Sequence, residues 1–208
     1  MTPIPKLFFF SLPIFILCTF PANSEENCEF SYVPENTKLI WTAFKFTEKI
    51  GVNGTLKNIQ VQKTKPAPDA LGAVRSIKFT IDSKSSDTGN PDRDAKLNSV
   101  FFGSLKNREI KGIFKDVQQD KNSGTAKAVL TWNGVTATIP VQFKVNNETD
   151  IEVTGSLNVN SWKMQNALSS LNKVCEEKHR SKDGLSKLWP DVDFKISTKL
   201  LKRCKNAF

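Results

Sequence analysis

Apolar and polar residues alternate with a period of two over long stretches of the chain. The clearest run is Val135, Ala137, Ile139, Val141, Phe143 and Val145, interleaved with Thr136, Thr138, Pro140, Gln142, Lys144 and Asn146. Ile151, Val153, Leu157 and Val159 repeat it, with Gly155 at the fifth position. So do Val192, Phe194, Ile196 and Leu200, set against Asp193, Lys195, Ser197 and Lys199. Successive side chains of a strand point to opposite faces, so each run predicts a strand with one greasy and one wet side. Residues 39–46, 52–62, 73–82, 110–117 and 126–132 complete a set of eight. Asn133-Gly134 favours the positive φ angles of a type I′ hairpin turn, and Asn146-Asn147-Glu148 and residues 120–124 read as further reversals.

Eight antiparallel strands joined mostly by short turns lose their exposed edges by closing on themselves. The expected fold is therefore mainly β, an eight-stranded antiparallel lipocalin-like barrel. Pro140 inside a run predicts a bulge or a bend, because proline deletes a ladder hydrogen bond. Two segments break the rhythm. Residues 93–102 predict a short α-helix with Asp92 as its N-cap. Residues 161–179 predict a longer one capped by Ser161, with Trp162, Ala167, Leu168, Leu171, Val174 and Cys175 near one face.

The first stretch stands apart. Lys6 precedes an apolar run of about 14 residues, too short to span a bilayer, and Pro21-Ala22-Asn23-Ser24 supplies small residues for cleavage. This predicts a signal peptide over residues 1–24 and a single domain over residues 25–208, periplasmic or secreted. Cys18 follows the bulky Leu17, which argues against a lipidated cysteine. The domain is long enough for one real core.

Charge changes the picture little. The chain carries a formal +9, about +8 without Lys6, but Lys and Arg are spread along it rather than blocked. That is the pattern of solvated strand faces. It allows transient contact with an anionic membrane surface and gives no reason to expect nucleic acid. Cys28, Cys175 and Cys204 remain after cleavage, in a compartment where disulfides form, and their spacing fits no zinc pattern. If the first and last strands of the barrel pair, Cys28 and Cys204 are the favoured partners, and Cys175–Cys204 is the rival.

Candidate chemistry is sparse. His179 lies four residues after Cys175, yet no orienting group or further metal ligand is nearby, and a histidine at a helix end facing the dipole explains it. Asp87, Asp92 and Asp94 lack the spacing and closing Glu of a calcium loop. Arg93 and Asp94 fit a structural role, pinning the preceding loop. No cofactor, metal site or catalytic set is expected. Fifteen Phe and four Trp are notable. Trp41, Phe79, Phe114, Trp132, Phe143 and Phe194, with Phe102, Ile139, Val153, Leu157 and Ile196, are the candidate lining of the barrel interior. From the residues alone a ligand cavity and a filled core stand equal.

Residues 81–102 are more specific. A strand ending in Ser, then Thr88-Gly89-Asn90, Arg93-Asp94-Ala95 and Phe101-Phe102 in that order, resembles the YceI-like family. Trp41-Thr42-Ala43-Phe44-Lys45 with Val52-Asn53-Gly54-Thr55-Leu56 looks like the family's opening strand pair, and Trp189-Pro190-Asp191-Val192 like the lead-in to its last strand. The resemblance spans residues 29–204. It implies an extended lipocalin-like barrel in exported bacterial proteins whose characterised members hold a polyisoprenoid chain. It therefore favours the cavity, with a hydrophobic isoprenoid lipid or quinone-like molecule as ligand and no catalysis. The alternative is a lipid-free periplasmic interaction or stress-related protein with a filled core. One departure weakens the carry-over of ligand identity: many members have a histidine in the first strand, and residues 39–46 have none.

Overall fold

The computed structural model describes residues 27–205 apart from residues 63 and 76. The expected signal peptide lies outside the described residues. Among the described residues there are twelve strands: β1 (Asn27–Ser31), β2 (Lys38–Lys45), β3 (Ile50–Leu56), β4 (Ile59–Val61), β5 (Lys78–Asp82), β6 (Ser86–Asp87), β7 (Glu109–Asp120), β8 (Ser123–Trp132), β9 (Val135–Asn146), β10 (Asp150–Asn158), β11 (Leu188–Lys199) and β12 (Leu201–Lys205). Ten of them form one strongly curled antiparallel sheet in the order β4-β5-β7-β8-β9-β10-β11-β2-β3-β6, a half-barrel, and β1 pairs with β12 in a separate ribbon.

The protein is thus mainly β, with a strand count different from the eight expected. Each of the eight sequence segments carries a strand. The segment at 52–62, however, is divided, because β3 pairs with β2 while β4 pairs with β5. One stretch of chain therefore serves near both ends of the sheet order. Around the break, the Lys57 and Asn58 amides donate to Ser85 Oγ, and the Asp82 amide donates to the Asn58 carbonyl.

The turns follow their local chemistry. Asn133 and Gly134 have φ of 49° and 76°, as a type I′ turn requires, and Asn147 and Glu148 have φ of 48° and 62°. Pro140 makes no bulge against β8. β8 and β9 stay in register through Lys127↔Pro140. Pairing with β10 stops at Val141↔Gly155, so the proline sits just beyond the end of that ladder. Register shifts lie instead in β7, between Lys115 and Gln118, where Asp116 has φ of 50°, and in β11, between Leu188 and Val192.

The helices differ most from expectation. Among the described residues there are three short α-helices rather than one short and one longer: α1 (Ala70–Arg75), α2 (Pro91–Lys96) and α3 (Gln165–Val174). α1 occupies the first part of the segment expected as a strand at 73–82, burying Ala70, Leu71 and Ala73. At α2 the cap is Asn90, not Asp92: Asn90 Oδ1 accepts from the Arg93 amide at 3.0 Å, and Pro91 follows at the first turn, where a missing N–H costs nothing. The helix expected over 161–179 breaks at both ends. Residues 159–162 form a 3-10 turn, Lys163 takes a left-handed φ of 57°, and a second 3-10 turn covers 176–178. Ser161 therefore caps nothing, and Cys175 and His179 do not share a helix.

The inner face of the sheet is the core. Trp162, fully buried, donates from Nε1 to the Leu130 carbonyl at 3.2 Å, which seats the 3-10 turn on the sheet. In the ribbon, Cys28 stands opposite Cys204 and the two form a disulfide, while Cys175 is a buried free thiol. The expected pairing is present, although the bond staples the added ribbon rather than β2 and β11, the adjoining first and last long strands of the wall.

Candidate functional cavity

Two cavities lie end to end inside the curled sheet. The upper chamber, ≈ 180 Å³, sits beneath the turns after α2 and beneath α3, which contribute Leu97, Phe101, Phe102, Leu168 and Leu171. The lower chamber, ≈ 100 Å³, sits against α1 and is lined at its far end by Tyr32, Thr37 and Thr198. Tyr32 Oη, Thr37 Oγ1 and Thr198 Oγ1 form a hydrogen-bonded chain of 2.7 and 2.8 Å, so these polar tips satisfy one another. Five residues belong to both chambers: Leu39, Phe79, Ile81, Phe114 and Ile196. They form a waist, and the two chambers read as one tunnel narrowed by side chains.

Trp41, Phe102, Trp132, Leu157 and Phe194 line the upper chamber. Phe143 and Val153 line the lower one, and Phe79, Phe114 and Ile196 the waist. Ile139 is the exception. It is buried on β9 within the core cluster but lines neither chamber. The period-two pattern marks which face a residue occupies but not its height along the tunnel. Sequence reasoning passed over Leu39 and Ile81, which their strands' alternation could have supplied. It also passed over the helical contributors Leu97, Leu168 and Leu171; helical spacing put Leu168 and Leu171 on an apolar face but not against the cavity.

Cross-strand glycines explain how so many rings line a wall without filling it. Trp41 pairs with Gly54, Phe79 with Gly112, Phe143 with Gly124, and Phe194 with Gly155. At each glycine an added Cβ would collide with the partner's ring; at Gly155 it would stand 2.7 Å from Phe194 Cζ. Each ring therefore lies flat along the sheet over the space a side chain would take, the arrangement by which aromatics shield a strand glycine. A standing ring would project into the lumen. A reclining one paves it.

The upper chamber is almost wholly apolar. Ser83 is its one polar side chain of the serine, threonine or amide kind. Ser83 Oγ and Trp132 Nε1 are buried and have no hydrogen-bond partner among the described residues. An apolar void of this size is the kind that stays dry and takes apolar guests.

Above the upper chamber lies a vestibule of ≈ 170 Å³, bounded by β2, β3, α2 and the end of α3. Cys175 and His179 meet here, but not as a nucleophile and its base. His179 Nδ1 is 3.1 Å from Asn172 Oδ1, and its pKa is lowered to about 4, first by burial and then by the Lys45 and Lys96 charges. The ring is neutral at pH 7, the opposite of a histidine held charged by a helix dipole. Arg93 and Asp94 do pin the loop. Arg93 Nε and Nη2 donate to Thr88 Oγ1 and its carbonyl, and Asp94 Oδ1 accepts from the Thr88 amide and hydroxyl. Asp87 pairs with Lys57 and accepts from the Gly89 amide, which keeps its carboxyl below the usual range.

The YceI-like domain family matches residues 30–199. The chain belongs to the YceI-like family. The match takes in both chambers and the vestibule, and leaves Cys28 and Cys204 outside it at either end. The disulfide is thus placed around the YceI-like domain rather than within it. No curated protein matches this YceI-like chain. Solved structures with the same fold include a polyisoprenoid-binding domain from Saccharophagus degradans implicated in plant cell wall breakdown, at 12% identity and a TM-score of 0.55 over 86% of this chain and 99% of that one. BcnA from Burkholderia cenocepacia gives 16% and 0.57 over 83% and 99%. A mutant Campylobacter jejuni YceI protein with a monobromobimane guest gives 19% and 0.51 over 75% and 86%. At these identities the likeness is one of fold.

Proposed function

We propose that this protein is an exported, non-catalytic carrier that encloses an apolar isoprenoid-type lipid, or a quinone-like molecule with such a tail, in the tunnel. The observation that carries the reading is the paired chambers, joined at the Leu39–Ile196 waist and paved by rings lying over glycines. An elongated apolar space asks for an elongated apolar guest, and each buried CH₂ contributes about 0.8 kcal/mol without any chemistry from the wall. The polyisoprenoid-binding neighbour of the same fold supports a guest of that class. The segment serving both β2 and β5 supports a sheet that closes as an eight-stranded barrel around it.

Native mass spectrometry of protein purified from its own host, before and after mild organic extraction, tests the proposal. A hydrophobic mass lost on extraction is the expected result. Titration of the extracted protein with a prenyl alcohol should then shift the emission of Trp41 and Trp132. No bound mass and no shift with any added lipid would overturn the carrier reading.

A further inference from the structure

We propose that the Cys28–Cys204 disulfide is a redox latch on the lower end of the tunnel, opened by a dithiol. The inference rests on the tunnel reading and adds a controlled opening at the end away from the vestibule.

The lid of that end is α1 with the segment leading into it. Leu71, Val74 and Arg75 of α1, with the following Ile77, wall the lower chamber. Among the described residues, two hydrogen bonds tie residues 64–75 to the rest of the protein. The Phe30 amide donates to the Ala67 carbonyl at 2.7 Å, and the Ala67 amide donates to the Phe30 carbonyl at 3.0 Å. The local sequence prepares this contact. Pro66 and Pro68 have no amide hydrogen, and Pro68 biases Ala67 to an extended backbone, so Ala67 carries the one N–H of the triplet. An added Cβ at Gly72 would stand 2.9 Å from Ala67 Cβ, so α1 folds closely over the residue that β1 holds. The apolar fastening involves the same strand, since Phe30 shares a buried cluster with Ala70, Leu71 and Ala73.

β1 is thus the arm that holds the lid, and β12 is its post. Leu200, which leads into β12, is buried and donates its amide to the Thr149 carbonyl at 2.9 Å. Lys202 pairs with Glu148 at 2.6 Å. The post is therefore fixed to the turn between β9 and β10. The arm is not part of the ten-stranded sheet, and a two-stranded ribbon with five residues on each side is marginal by itself in water. The disulfide makes the pairing permanent, two residues from Phe30. Both cysteines lie outside the YceI-like domain. Cys204 is exposed and Cys28 half-buried, so a thiolate can reach Cys204. Its attack forms a new S–S bond to Cys204 as the Cys28–Cys204 bond breaks, and the electron pair leaves on Cys28 Sγ, which takes a proton. The second thiol of the dithiol then displaces Cys204 as a thiol. The latch gains two electrons and two protons, and the dithiol is oxidised to a disulfide. The arm is then free to part from the post, and the lid from the chamber.

The test compares the extracted mature protein, reloaded with farnesol, before and after reduction with dithiothreitol. Amide hydrogen exchange reports the lid, and tryptophan emission reports farnesol release into phosphatidylcholine vesicles. Reduction is expected to speed exchange at Ala67 and in residues 71–75 well beyond any change in β7 to β10. Farnesol release should quicken about tenfold or more. A C28S/C204S variant should show both effects without dithiothreitol and no further change with it. Should that variant fail to fold, Phe30→Ala keeps the bond but loosens arm from lid, and should quicken release with the disulfide intact. A bond that dithiothreitol leaves intact in the folded protein, or unchanged α1 exchange after complete reduction, would overturn the latch and leave the tunnel standing. Exchange quickened evenly across α1 and β7 to β10 would make the bond a general staple, which also overturns it. Faster α1 exchange with unchanged release would deny the lid any hold on the guest. If the oxidised protein binds no farnesol, the tunnel reading falls and the latch's hold on a guest falls with it.

Discussion

The indole of Trp41 lies over Gly54, its partner on the neighbouring strand, so that a single added methyl group at Gly54 would overlap the ring. Gly54→Ala therefore forces the indole away from the wall and towards the lumen of the upper chamber. Overpacking of this kind costs about 1–3 kcal/mol. The expected outcome is a lower melting temperature and at least a tenfold loss of prenyl-chain affinity, read by tryptophan emission. Unchanged affinity would mean that the space beside Trp41 is not used by the ligand.

Phe194 combines the same relationship, to Gly155, with a place in the upper chamber wall. Phe194→Arg puts an unpaired cation into an apolar cavity, a burial that costs several kcal/mol unless water enters with it. Lipid retention should be lost, measured by native mass spectrometry of the variant purified without extraction. A thermal melt run alongside distinguishes a folded protein with a wet tunnel from an unfolded one. Full lipid retention by a folded variant would place the ligand elsewhere.

The Cys28–Cys204 bond closes a loop with a sequence separation of 176 residues and holds the β1–β12 ribbon, whose Phe30 packs with Leu71, Ala73, Phe143 and Leu200 beside the lower chamber. Loop-entropy arguments put its contribution near 5 kcal/mol, with measured values often lower. Reduction, or a C28S/C204S variant, should lower the melting temperature while β2 to β11 retain their strand signal in circular dichroism. Non-reducing peptide mapping should find Cys28 linked to Cys204 and Cys175 free. A Cys175–Cys204 peptide would refute this pairing.

His179 gives the protein a pH signature with a definite sign. Its pKa falls from 6.5 to about 4 on folding, from burial first and then from Lys45 and Lys96. Between those values the unfolded chain binds the extra proton, so stability is fully present above pH 6.5, declines as pH falls towards 4, and levels below. The ring is only partly buried, and solvent screening reduces the effect to about 1–2 kcal/mol. Urea midpoints measured across pH 4–7 should show this slope, and His179→Gln should flatten it. An equal slope in the variant would assign the effect to other groups.

Local pattern determined much of this molecule. Alternation over 135–145, 151–159 and 192–200 specified strands because burial of one pleated face requires period two whatever the neighbours are. Asn133-Gly134 specified its turn because those residues accept positive φ. The inward aromatics followed from the same alternation, and ten of the eleven expected lining residues do reach a chamber. Local pattern misled where capping and short helices were at stake: Ala73 reads as well on the buried face of α1 as in a strand, and Asn90 outcompetes Asp92 because Pro91 sets the first turn. Tertiary structure alone decided whether the interior is hollow. Gly54, Gly112, Gly124 and Gly155 are unremarkable in one dimension. They become the beds of Trp41, Phe79, Phe143 and Phe194 only when strand register sets each opposite its ring. The same holds for the vestibule, since Lys45, Lys96 and Lys178 are scattered along the chain and converge only through contacts between β2, α2 and the end of α3. Register and convergence are properties of long-range pairing, and no window of sequence short enough to show periodicity contains both partners.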